Sequence, residues 1–419
     1  MNEILMGILL PALLGGTGIF LLIYLKGYPF RRPKVLWRSL FQKSKDGGVS
    51  PQNALLTALA GTLGVGNITG VAAAIVLGGA GALFWMWVCA LFSMVIKYAE
   101  IVLAMKTKKN GHGGPMYYLK NKRLAVLFAL ICLACGFSMG NMVQVCAACD
   151  AVQTVIPDSK WMVAFLFLVI LMSVLRKGGK GVFAFSSKVV PIMTLFYCLL
   201  CGAFLFVWRT HIPEALYSVW KSAWNADAVG AGIFGSSLIL GLRYGAARGM
   251  ISNEAGCGTA PIAHAAAKQS PAAQGCLGIA EVFIDTILLC TLTGLCVLVA
   301  PSVSTNGGTE LVIGIFTRQF GAFAGYLLVL CMLLFSFATV VCWFYYCLEC
   351  IRYLTGSDRF EKLFILLFSL LCPIAPMVGE QGLFAATDLL VCLMAFLNLP
   401  AIFGMRRIIK KETLDYFKQ

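Results

Sequence analysis

A chain of 419 residues that is 60% hydrophobic and 12% charged, with a mean hydropathy of +0.86, is too apolar to wrap a core in a polar surface, so lipid must be its solvent. A formal charge of +15 would point to nucleic acid in a soluble protein; here the basic residues fall between apolar runs and report sidedness instead, which excludes that class. The 17 cysteines stand mostly alone in apolar runs, as at Cys132, Cys135, Cys198, Cys201, Cys290, Cys331 and Cys372, with no CxxC grid or histidine set for structural zinc, and read as small reduced packing residues.

In chain order, at roughly 20 apolar residues per crossing, the predicted spans are 4–26, 52–77, 80–105, 124–152, 161–175, 182–207, 229–248, 275–299, 322–353, 363–377 and 383–406, eleven in all. The first run lacks a basic leader and a small-residue cleavage site, so it is expected to stay as a spanning helix. Cys146 and Cys149, the one CxxC-like spacing, lie within the fourth span and read as a packing face. No connecting segment is long and polar enough for a soluble domain. The expectation is one membrane domain over 1–419: an extra helix and basic loop (1–50), a first repeat (51–208), and a second repeat with a short tail (209–419).

The connecting segments alternate in basic content. One side holds Lys26, Arg31, Arg32, Lys34, Arg38, Lys43 and Lys45, then Lys106, Lys108, Lys109, Lys120, Lys122 and Arg123, then Arg176, Lys177, Lys180 and Lys188. It continues with Arg243, Arg248 and Lys268, then Arg352, Arg359 and Lys362, and finally Arg406, Arg407, Lys410, Lys411 and Lys418. The opposite side has only Lys160, Arg209, Lys221 and Arg318. The positive-inside rule makes the basic side cytoplasmic, with the amino terminus outside and the carboxyl terminus inside a plasma (inner) membrane.

The second span holds Gly61, Gly64, Gly66 and Gly70 among Thr57, Thr62, Asn67 and Thr69. Glycine costs about 1 kcal/mol per helical position relative to alanine, so a break is expected there. Unwound backbone survives at membrane depth only inside protein or beside a wet cavity, where amides at a half-helix start attract a carboxylate and carbonyls at a half-helix end attract a cation. The alternative is close helix packing through small residues; the clustering and the polar Asn67 favour binding. Five spans onward, 228–237 forms a second glycine-rich interruption, in which Phe234 would cap a small substrate while Gly232, Gly235 and Ser236 free backbone for it. Two interrupted spans in matching positions point to an inverted-repeat transporter.

Other polar residues lie at membrane depth. Asp285 sits deep in the eighth span and reads either as a cation ligand or as a partner for a buried base or backbone group. Glu281, one turn away, faces water or pairs with a basic residue. Gln144 and Asn141 either bond the substrate's polar groups or tie helices together. Asn398 lines the pathway or caps backbone. Arg243, Arg248, Asn253 and Glu254 are expected at the cytoplasmic end of the seventh span, as an inner gate or a solvated network, and Lys97 with Glu100 reads as an i,i+3 pair.

These residues also carry a family resemblance. The stretch 61–70, then Gly78-Gly-Ala-Gly-Ala-Leu-Phe-Trp-Met-Trp87, Lys97-Tyr-Ala-Glu100, Gly113-Gly-Pro-Met-Tyr-Tyr118, Gly140-Asn-Met-Val-Gln144, Ser252-Asn-Glu-Ala-Gly-Cys-Gly-Thr-Ala-Pro-Ile-Ala-His264 and Asp285-Thr-Ile resemble the alanine or glycine:cation symporter family, of LeuT-type architecture, over nearly the whole chain. The resemblance implies an all-α five-plus-five inverted repeat with one extra amino-terminal helix. It implies a monomer importing alanine or glycine with Na⁺ by alternating access, with no cofactor. By analogy with LeuT-type sites, the amides of Val65 and Gly66 would receive the carboxylate, the carbonyls of Ala60, Thr62 and Leu63 would face cations, and Asn67 would give a side-chain oxygen to sodium. Thr339, in Ser336-Phe-Ala-Thr339, fits a second sodium site, but Ala338 stands where the family often has serine. Proton coupling, a passive channel and an amino-acid sensor are the rivals; no HExxH, GxSxG or paired-aspartate signature of an intramembrane enzyme is present.

Overall fold

The computed structural model describes residues 9–42, 48–224, 237–301, 308–357, 359–378 and 380–418, and among them the chain is helical with no strand beyond two isolated bridges. Among the described residues seven helices are long and apolar enough to cross a membrane, and a bent pair taken as one span makes an eighth. In chain order the elements are α1 (Leu10–Tyr24), α2 (Pro33–Leu40), α3 (Pro51–Thr62), α4 (Thr69–Gly78), α5 (Gly81–Thr107), α6 (Lys122–Gln153), α7 (Lys160–Leu175) and α8 (Gly178–Val207). They continue as α9 (Ile212–Trp224), α10 (Ser237–Asn253), α11 (Pro271–Val299), α12 (Gly308–Phe320), α13 (Ala322–Thr355), α14 (Phe360–Val378), α15 (Glu380–Gly404) and α16 (Arg406–Phe417). Where the residues are described, the predicted spans fall on these helices, 52–77 on α3 and α4 together and 229–248 on α10 from Ser237 onward, α1 and α7 being shorter apolar helices. Composition did not foresee α2, α9, α12 and α16, which are amphipathic or polar and too weakly hydrophobic to register as spans.

The 52–77 span breaks as expected: α3 and α4 meet at 66° across a single 3₁₀ turn, Val65–Asn67. The interruption expected at 228–237, with Gly232, Phe234, Gly235 and Ser236, lies outside the described residues apart from Ser237. Among the described residues a second break follows α10, which ends at Asn253, and the chain runs unwound to a short helix, Ala260–His264. Glu254, Gly256 and Gly258 adopt φ of 52°, 85° and 81°. Glycine takes that left-handed region freely, and a Cβ on Gly258 would stand 2.3 Å from the Pro115 ring, so the stretch cannot continue as helix.

The two broken helices run antiparallel. Asn67 bonds Ser252, Gly70 faces Arg248, and Gly78 packs on Leu240 and Tyr244. As one number rises the other falls, the relation expected of inverted repeats. Helix α5 lies against α10 so closely that a Cβ on Gly245 would meet the Ala82 carbonyl oxygen at 2.2 Å. Cys146 and Cys149 bond carbonyls on different helices, Ala375 and Lys160, as a packing face would.

Wide π-helical turns interrupt two other helices, at Ser138–Met142 in α6 and Phe283–Cys290 in α11. Such turns recur at functional sites because they displace side chains from the regular helical stripe. Here they carry Asn141 and Asp285.

Candidate functional site

The first break frees backbone on both of its sides. Leu63 leaves helical geometry at ψ 72° and Gly64 is extended (φ −106°, ψ −170°). The N–H groups of Val65 and Gly66 are accepted by no described group. Gly66 is exposed, with nothing within 4 Å of where its Cβ would be. Val65 is buried, and a buried amide without a partner is rare in proteins; both residues line a cavity.

On the carbonyl side, the Thr339 hydroxyl oxygen of α13 lies 3.1 Å from the Ala60 carbonyl, 3.5 Å from Leu63 and 3.0 Å from Phe335. One hydroxyl proton cannot serve three carbonyls, so this is a surplus of acceptor oxygens. One turn earlier on α13, the Ser336 hydroxyl is fully buried with no partner among the described residues. A dehydrated hard cation suits such a cluster. Thr62 has its hydroxyl turned back to Leu59, at 3.4 Å.

Beyond the bend, Asn67 and Asp285 meet. Asp285 is fully buried, and its carboxylate accepts from Asn67 Nδ2 at 2.7 Å, Ser252 Oγ at 2.9 Å and Thr286 Oγ1 at 2.7 Å. No described base forms an ion pair with it. Asn67 Oδ1 accepts the Gly64 N–H at 3.2 Å, while Thr293 donates to the Asn67 carbonyl at 2.8 Å.

Between these groups lies a small, partly open cavity of about 70 Å³. Thr62, Val65 and Gly66 line it with Gln144 of α6, and Met139, Val143 and Ile251 supply apolar wall. Gln144 Nε2 donates to Met139 at 3.3 Å, but its Oε1 is buried and unpartnered; a Cβ on Gly64 would come within 3.1 Å of both that oxygen and the Thr339 hydroxyl. The structure thus gathers Thr62, Val65, Gly66 and Gln144 on the cavity, Ala60, Leu63 and Thr339 in one oxygen cluster, and Asn67 with Asp285 in another.

Known proteins resemble this chain in sequence and in fold. The sequence matches the sodium:alanine symporter family over residues 1–419. The chain belongs to that family. It is 35% identical to the sodium/alanine symporter AgcS of Methanococcus maripaludis, covering 98% of this chain and 95% of that one. It is 36% identical to an uncharacterized transporter of Haemophilus influenzae, covering 100% and 95%. A crystal structure of MhsT in complex with L-phenylalanine superposes with a TM-score of 0.62 at 12% identity, covering 90% and 93%, which shows the fold to be of the LeuT type. As a sodium:alanine symporter family member the chain is a multi-pass membrane symporter for amino acids and not an enzyme.

Sequence reasoning missed a third of the family member's cavity wall. Arg248, Ser252 and Glu254, together with Thr387 and Asp388 of α15, line it. Helix α10 runs five residues beyond the predicted 248 and ends at Asn253, which brings Arg248 within the helix and Glu254 just past its end onto the cavity wall. The quoted motif Ser252-Asn-Glu carried the signal; its glycines at 256 and 258 marked the break.

Next to the second break the symporter buries a charged network. Lys97 pairs with Glu281 at 3.1 Å, Glu281 with His264 Nε2 at 3.1 Å, and His264 Nδ1 with Gln274 at 2.6 Å. Lys97 is therefore not confined to an i,i+3 pair with Glu100, whose hydrogen bond comes from Asn398 at 2.9 Å. Asn398 also donates to the Gly256 carbonyl at 2.8 Å, the backbone-capping reading of that residue. Glu254 accepts from Thr259 at 2.6 Å and Trp343 Nε1 at 3.2 Å. Tyr118 donates to Asn398 from below.

Proposed function

We propose that the protein is a sodium-coupled symporter that imports small neutral amino acids, alanine or glycine or both, by alternating access. One observation carries the reading: the unwound stretch at 60–67 offers unpartnered amides to the cavity and surplus carbonyls to Thr339 within a few residues. The substrate carboxylate binds the amides of Val65 and Gly66, and its ammonium group meets Gln144 Oε1. Sodium binds among Ala60, Leu63 and Thr339, with Asp285 holding the Asn67 side of the loop and balancing the second positive charge. The exposed Gly66 and the walls of Met139, Val143 and Ile251 favour a side chain no larger than a methyl group. Coupling follows because each ligand orders backbone that the other needs. The charge pattern supports an outside amino terminus, a cytoplasmic carboxyl terminus and a plasma-membrane location, and the site is complete within one monomer.

Uptake of labelled alanine and glycine into proteoliposomes under an inward sodium gradient tests this. Accumulation above the equilibrium level is expected with sodium and not with potassium. Accumulation that persists without a sodium gradient overturns the sodium part. A proton-driven version is the second reading, favoured by Glu254, a buried carboxylate on the cavity wall; uptake driven by a pH gradient alone separates the two.

A further inference from the structure

The end of α1 carries a feature that transport does not explain. The helix stops at a left-handed turn, Lys26 and Gly27 having φ of 54° and 63°, with their amides closed onto the carbonyls of Ile23 and Leu22, each at 2.9 Å. Residues with a side chain seldom adopt this conformation, and where they do the strain often marks a function.

Lys26 stands between two concavities. One, of about 150 Å³, lies between the end of α1 and α16 and is lined by Lys26, Tyr28, Lys410 and Lys418. The other opens on an exposed flank of α1, where Leu22, Ile23, Lys26 and Arg31 line it. Ile23 is 72% exposed. No carboxylate lines either concavity, and Lys26, Arg31, Lys410 and Lys418 form no ion pair with a described residue. Lys410 instead rests over the Tyr24 ring at 4.7 Å. Of the two acids on α16, Glu412 is taken by Lys106 at 2.7 Å, and Asp415 lines neither concavity.

The neighbouring helix is suited to a bilayer surface. Helix α2 turns Trp37 and Phe41 outward at 64% and 65% exposure, while Ser39 is buried and hydrogen-bonded to Tyr416 of α16 at 2.9 Å. Aromatic and basic residues on one short amphipathic helix belong at the headgroup level. A cationic pocket alone fits any phosphate; the apolar shelf beside it and the interfacial aromatics above fit a phosphate that carries acyl chains.

We propose that this is a binding site for the phosphodiester headgroup of an anionic phospholipid. The phosphate sits among Lys26, Lys410 and Lys418, and an acyl chain lies along Leu22 and Ile23. Juxtamembrane lysines of this kind favour anionic lipid independently of the transport reaction.

Native mass spectrometry of the full chain, released from nanodiscs of equal phosphatidylglycerol and phosphatidylethanolamine, tests it. Retention of phosphatidylglycerol at least about fivefold over phosphatidylethanolamine is expected, falling to near parity in the triple variant Lys26→Gln, Lys410→Gln, Lys418→Gln. Equal retention of both lipids by the unaltered protein, or an unchanged preference in the variant, overturns the proposal. If the triple variant does not fold, Lys418→Glu, on an exposed side chain, carries the same test and should lower the preference at least about twofold. Thermal unfolding in detergent completes the comparison. Stabilisation by short-chain phosphatidylglycerol and not by inorganic phosphate supports a lipid site, whereas equal stabilisation by both makes it a free-phosphate site and overturns the lipid assignment.

Discussion

The side-chain amide of Asn67 donates to Asp285 at 2.7 Å while its oxygen accepts the Gly64 amide at 3.2 Å. One neutral side chain therefore ties the bend of the first broken helix to the π turn of α11. Any ion that alters the position of Asp285 is felt at Gly64, and through it at the carbonyl cluster.

Removing the charge at this link should uncouple the cation before the substrate. Asp285→Asn replaces a buried acceptor of three hydrogen bonds by a group that accepts on one side only, a loss of about 1–3 kcal/mol. The sodium concentration for half-maximal uptake should rise at least about tenfold, with the alanine KM at saturating sodium changing far less. Unchanged sodium dependence would remove Asp285 from the coupling.

The carbonyl cluster predicts a contrast between two conservative changes. Thr339→Ser keeps the oxygen that faces Ala60 and Leu63, and sodium activation should survive within about threefold. Thr339→Ala deletes it, and sodium affinity should fall by about tenfold or more, a hydrogen-bonding oxygen at a charged ligand contributing about 1.5–3 kcal/mol. Sodium titration of uptake in the same liposomes distinguishes them. Equal behaviour of the two variants would exclude the hydroxyl as a ligand.

Two neighbouring glycines should differ in kind. Gly66 has open space around its missing Cβ, so Gly66→Ala should fold normally and take up room that the substrate's methyl group would use. Glycine uptake should be retained better than alanine uptake, read as a rise in the glycine-to-alanine ratio of kcat/KM. Gly64→Ala presses within 3.1 Å of both Gln144 and Thr339, and both substrates and sodium should be affected together.

The buried network makes a stability prediction. Lys97 and Glu281 are fully buried, and breaking such a pair by removing one partner costs about 3–5 kcal/mol because the other charge is stranded. Lys97→Met should lower the thermal unfolding midpoint in detergent markedly. The double variant Lys97→Met, Glu281→Met should recover part of that loss; no recovery would mean that Glu281 is held by His264 and not by Lys97.

Much of the fold was legible because burial in lipid demands long apolar runs, and those runs are local in sequence. The first break was legible for the same reason: four glycines within ten residues lower helix propensity whatever lies around them. The break at 254–259 was not foreseen because its glycines, 256 and 258, stand among polar residues and outside any apolar run, where propensity alone marks a loop and not an interrupted helix. The burial of Glu254 beside the cavity was missed with it, since charge in a chain of this kind is usually read as lying outside the membrane. Thr387 and Asp388 had no signal at all, being single polar residues near the start of a late span.

The sequence by itself determined that the helix at 61–70 breaks, that Gln144 and Asp285 lie within apolar runs, and which family supplies the fold. Those conclusions rest on composition, spacing and motif order, which travel with the chain. Only the tertiary structure decided that the break at 254–259 is the antiparallel partner, that Asn67 is spent between Gly64 and Asp285, and that Lys97 belongs to Glu281. Hydrogen bonds and ion pairs between residues about 180 to 220 positions apart depend on which helices become neighbours, and no local pattern in the chain encodes that distance.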